Sequence, residues 1–149
     1  MKNTLIAAAA VAALTSAPAL AGPKDDMCRL VSILATEGVP AAVTFTEELA
    51  ELWSPEQRAK LPVVVGAELE KFDYRGGQVY QIAELPGVVE EYFLTLNLTG
   101  SGSVYLRVLY EGNGRDALSF INIDFKASYH DALEDPFLQP PKSVACPQG

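Results

Sequence analysis

Residues 91–125, EYFLTLNLTGSGSVYLRVLYEGNGRDALSFINIDF, decide how this chain folds. Tyr92 to Leu98, Ser103 to Tyr110 and Leu118 to Phe125 are rich in β-branched, aromatic and leucine residues. Between them stand Gly100-Ser101-Gly102 and Gly112-Asn113-Gly114, residue types that accept the backbone angles of hairpin turns. The stretch therefore predicts antiparallel strands in sequence.

Alternation fixes which side chains share a face, because a slip of one residue sends every side chain to the other side. With Gly100-Ser101-Gly102 as the first loop, Leu98 is expected opposite Val104. Tyr92, Leu94, Leu96 and Leu98 then join Val104, Leu106, Val108 and Tyr110 on one apolar face. With the second turn centred on Asn113 and Gly114, Leu106 is expected opposite Ile121, and Ile121, Ile123 and Phe125 extend that face. Such a surface requires a cover. The opposite face mixes Phe93, Thr95, Asn97, Tyr105, Arg107, Leu109, Leu118, Phe120, Asn122 and Asp124.

The cover is expected from the N-terminal side. Asp25 and Asp26 suit a helix N-terminus, and Met27, Leu30, Val31 and Leu34 follow at helical spacing, ending near Gly38. A second helix is expected from Thr44, with Glu47 completing a capping box and Phe45, Leu49, Leu52 and Trp53 on its apolar side. Ser54-Pro55-Glu56-Gln57 is another start signal, with Ser54 as N-cap and Gln57 reaching back. Pro62 kinks or restarts that helix, and Val65, Leu69 and Phe72 continue its period. Arg75-Gly76-Gly77 reads as a turn before a short strand from Gln78 to Glu84, which Leu85-Pro86-Gly87 ends. A weak helical turn is expected around Ala132 to Glu134, and Pro136, Pro140, Pro141 and Pro147 make the tail extended.

The ends speak of export. Lys2, the apolar run Leu5 to Leu14 and Ala19-Leu20-Ala21 have the order of a secretory signal peptide cleaved after Ala21, leaving residues 22–149 as one domain. The run is too short and alanine-rich for a membrane span, so the mature protein is expected to be soluble and periplasmic or secreted. In that compartment Cys28 and Cys146 are expected to form a disulfide; a redox or metal pair would need CxxC or nearby histidines. The net charge of −8, with scattered lysines and arginines, argues against nucleic acid.

Helices followed by hairpin-connected strands define an α+β domain, with N-terminal helices on one face of an antiparallel sheet of about four strands. The element order and the pattern SPEQ…KF…VEEYFLTLNL…VYLRVLY…LSFINIDF, over Cys28 to Phe125, resemble the cystatin-like and nuclear transport factor 2-like domains. The resemblance implies helices wrapped on a curved sheet. It includes isomerases, dehydratases and many non-catalytic dimerising or ligand-binding modules. Isomerases of that kind place an acid and a tyrosine beneath the sheet, where Tyr92 and Tyr110 fall here. Parity puts no strand carboxylate on that face, so their catalytic pattern is not carried over.

No catalytic, metal or cofactor site is expected from the residues. The single histidine, His130, lies beside Asp131 in a polar segment and reads as a surface residue. Tyr105, Arg107, Phe120 and Asn122, on the mixed face, are the candidate binding residues for self-association or a periplasmic partner. Phe137 and Leu138 of the tail are the competing cover for that face. The leading expectation is an exported, non-catalytic binding domain; the other is a small pocket enzyme of isomerase or lyase type.

Overall fold

A computed structural model describes residues 22–112, 118–126, 137 and 139–147, with the side chains of residues 118–125 outside the description. Helix α1 spans Pro23–Thr36 and α2 spans Val39–Leu49; the short helices α3 (Pro55–Arg58) and α4 (Ala67–Leu69) flank a π-helical turn over Pro62–Gly66. Strands β1 (Tyr74–Leu85), β2 (Val89–Leu98), β3 (Ser103–Gly112) and β4 (Leu118–Lys126) form an antiparallel meander. The two-residue strand β5 (Lys142–Ser143) completes the order β4-β3-β2-β1-β5. The arrangement is α+β, with the helices against one face of the sheet.

The apolar face falls where alternation places it. Tyr92, Leu94, Leu96, Val104, Leu106, Val108 and Tyr110 are all buried, and they pack with Met27, Leu30, Val31, Ile33 and Leu34 of α1 in one core. Full burial of each leucine contributes about 2 kcal/mol, so this cover is the main stabilising contact of the fold. Phe45 of α2 is also in the core, and its ring carries the Arg29 guanidinium 4.5 Å from the centroid, which ties α2 to α1.

Register differs from expectation without changing the face. Leu96, not Leu98, lies opposite Val104, because the chain turns through five residues from Leu98 to Gly102 rather than through the three-residue glycine run. Leu106 pairs with Phe125, not Ile121, since β3 continues to Gly112 and pairs there with Leu118. Both displacements are even, so parity survives through Leu109. A bulge after Leu109 makes the displacement odd from Tyr110 on, so Phe120, expected on the mixed face, stands opposite Tyr110 of the apolar face and Ile121 falls at the irregularity. Arg107 therefore stands opposite Phe93 and Asp124 rather than the Thr95 and Phe120 that the expected register implies, and Tyr105 opposite Thr95 and Lys126 rather than Asn97 and Asn122. The loop 113–117 lies outside the described residues.

Two other expectations change for local reasons. Helix α2 begins at Val39 rather than at Thr44, because Pro40 fits the first helical turn and Gly38, at φ 88°, makes the break. Thr44 then sits inside the helix with its hydroxyl donating to the Pro40 carbonyl at 3.1 Å. Arg75-Gly76-Gly77 is an irregular part of β1, not a turn before it. Gly76 takes φ 126°, and a Cβ on Gly77 would lie 2.3 Å from the Thr95 carbonyl oxygen, so both glycines serve a bulged strand that hugs β2. The Ser54–Gln57 capping box forms as expected, although α3 ends at Arg58, and the Pro62 region stays helical. His130 and the expected turn at Ala132 to Glu134 lie outside the described residues.

Candidate functional site

Cys28 and Cys146 are bonded, with Cα atoms 5.3 Å apart across 118 residues of sequence. Cys28 lies on α1 beside the buried stripe, so the bond draws the tail across that helix. Just before it, β5 adds to the outer edge of β1 through Tyr80↔Ser143 and Gln81↔Lys142. The Val144 N–H then donates to the Val79 carbonyl at 2.9 Å, and beyond it the chain leaves the edge.

That departure leaves an open groove of about 750 Å³ between α1, the start of β1 and the tail. Ser32, Ala35 and Thr36 of α1 form one wall, and residues 75–79 of β1 form another. Arg75 is the one charged residue among those described as lining it. Its side chain is exposed, and the four residues Arg75–Gln78 have no strand beside their outer edge among the described residues.

A second constellation sits within the core. The Tyr110 hydroxyl lies near the Asp26 carboxyl of α1 and interacts with it electrostatically, while the Tyr92 hydroxyl donates to Glu90 Oε2 at 2.5 Å. The two tyrosine rings meet edge to face at 6.3 Å. Burial, then repulsion from Asp25, pushes the Asp26 carboxyl up to about 6 from 3.8, against the opposing pull of Tyr110 and Arg29. Burial raises both tyrosines above their ordinary range, with the Asp26 charge next for Tyr110 and the Glu90 hydrogen bond next for Tyr92. Both hydroxyls are therefore neutral donors at physiological pH. Tyr92 and Tyr110 are 0% and 3% exposed, and neither lines a described cavity.

Because the folded state raises this carboxyl, it holds the proton more tightly than the unfolded chain does. The Asp26 contribution to stability is then fully present below about pH 4 and is lost as pH rises through about 6. The undiscounted linkage is about 3 kcal/mol, and screening at a half-buried position reduces it to about 1 to 2 kcal/mol. Asp26→Asn is expected to raise stability by that amount at pH 7.5 and hardly at all at pH 4. Urea midpoints at the two pH values read it directly; an equal offset at both would show that Asp26 titrates normally.

The outer sheet face is less open than its sequence suggested. Arg107 donates to Glu91 Oε1 through Nε at 3.0 Å and through Nη2 at 2.9 Å, and their side chains are only 11% and 13% exposed. Tyr105 stacks on Phe93 with centroids 5.7 Å apart. Phe137 of the tail packs on Phe93 at 5.1 Å and lies 5.8 Å from the Arg107 guanidinium. Tyr105 and Arg107 thus share one cluster. Phe120 and Asn122 hold register positions opposite Tyr110 and Leu109, and their side chains, like Leu138, are outside the description.

Sequence reading missed the groove because its glycines looked like a turn and its tail like a coil. A signal for the Asp26 contact was present: Asp26, Leu30 and Ile33 recur at i, i+4 and i+7, which turns the carboxyl toward the sheet. Among the described residues, no group of three or more His, Cys, Asp and Glu side chains is arranged to hold a metal, and no helix is long and apolar enough to cross a membrane.

The residues so arranged belong to a disulfide-clamped α+β domain with an edge groove. Compared with known proteins, the chain matches no family model, no curated protein and no solved structure.

Proposed function

We propose that this chain is an exported, non-catalytic binding domain that receives an extended peptide in the groove between α1 and the outer edge of β1. The observation that carries the reading is the groove: an open strand edge, roofed by a helix, whose neighbouring stretch already holds the chain's own tail as an added strand. Addition of a strand to a free sheet edge is a recurring way of holding peptides, because the main chain supplies affinity without a fixed sequence. Export is supported by the signal-like leader over residues 1–21 and by the disulfide, which suits an oxidising compartment.

A small pocket enzyme is the second reading, and Asp26 is the observation in its favour. A carboxyl poised near pH 6 beside a tyrosine hydroxyl is a serviceable general base. The packed rings of Tyr92 and Tyr110 leave it ranked second. Self-association through Tyr105 and Arg107 ranks behind both, since Glu91 and Phe137 already engage Arg107.

Amide shift mapping with a pool of acetylated, sequence-randomised pentapeptides separates the readings. Perturbations are expected at residues 75–79 and along α1 from Cys28 to Thr36. Perturbations gathered instead at Asp26, Tyr92 and Tyr110 would transfer the assignment to the enzyme.

A further inference from the structure

The groove has a direction and one charge, and together they select an end of the peptide. Strand β5 runs antiparallel to β1, meeting Gln81 with Lys142 and Tyr80 with Ser143 before Val144 bonds to Val79. Continued in the same line, the next residues would oppose Gln78, Gly77, Gly76 and Arg75 in turn. The chain does not continue there, because Cys146 is held by Cys28 on α1. The length of edge from Gln78 back to Arg75 therefore has no paired strand among the described residues, and a strand added in the same line would enter beside Val144 and finish at Arg75.

Every long pairing in this sheet is antiparallel, so an added strand keeps that sense. It then arrives at Arg75 with its C-terminus. The guanidinium is a planar fork of donors that matches a carboxylate, and Arg75 has no ion pair among the described residues. The remaining described lining of the groove is uncharged. The chain's net charge of −8 opposes anions only at long range, since salt screens exposed charges beyond about 8 Å.

We propose that the groove binds the C-terminal segment of an extended peptide, antiparallel to Arg75–Gln78, with its terminal carboxylate on Arg75. The inference rests on the peptide-binding reading and adds the end that is recognised. At about 3.3 Å per residue, the free edge takes about four residues of the ligand.

The test uses the full mature chain and two preparations of the same acetylated pentapeptide pool, one as free acids and one as C-terminal amides. Half-saturation is read from the amide shifts of Gln78 and Val79. The acids are expected to bind about tenfold more tightly than the amides, the range of a charge-assisted hydrogen bond. On Arg75→Gln, an exposed substitution that leaves the core intact, the two preparations are expected to bind alike. Equal binding of acids and amides to the unaltered protein, with shifts still in the groove, would overturn the carboxylate assignment and spare the groove. Shifts elsewhere, or none with either pool at millimolar concentration, would overturn the groove and the assignment together.

Discussion

Removing the Cys28–Cys146 bond, by reduction or by the Cys28→Ser/Cys146→Ser pair, is expected to lower stability by about 5 kcal/mol, the chain-entropy estimate for so long a closed loop. For a domain of this size that is a large share of the total. The loss should begin at the tail: β5 holds β1 through only two paired positions, and the bond keeps it in place. Hydrogen exchange at Val144 should therefore quicken before exchange in β2 and β3. The unreduced denatured protein should present no titratable thiol. A urea midpoint unchanged by reduction would mean that helix packing alone sets the stability of the fold.

Arg107→Ala is expected to cost about 3 kcal/mol, because it strands the Glu91 carboxylate in a site where only 13% of that side chain meets solvent. Arg107→Met combined with Glu91→Leu should recover most of the loss, since a buried ion pair exchanged whole for apolar side chains is nearly neutral. Denaturation of Arg107→Met, Glu91→Leu and the double variant gives the coupling energy directly. Sedimentation of Arg107→Glu checks the competing role: an altered mass in a folded variant would restore this face as a contact surface. A loss of stability at constant mass is the expected result.

The layer structure was legible because it depends only on parity. Leu94, Leu106 and Val108 share a face whether a loop has three residues or five, so even slips in the turns left the core intact. Helix α1 was legible for a similar reason, as Met27, Leu30, Val31 and Leu34 repeat at the helical period. What stayed hidden needs knowledge of distant partners. Gly76 and Gly77 have the composition of a turn, and only the approach of the Thr95 carbonyl explains them as a strand bulge. Lys142 and Ser143 have no strand propensity to announce β5; the edge of β1 and the bond to Cys28 place them. Asp26 looked like a helix-end charge, and its contact with Tyr110 required the pose of α1 on the sheet. Arg107 drew attention as an exposed cation among apolar residues, whereas Glu91, sixteen positions away, accounts for it.

The span of the single covalent cross-link sets an order of events during biogenesis. Because its cysteines are 118 residues apart in sequence, the latch cannot close until the helices and every long strand have been synthesised. A polypeptide stalled or clipped upstream of Cys146 never acquires the clasp, and its loosely held sheet margin stays available to proteases. Latching thus separates chains that include residue 146 from shorter fragments by their survival.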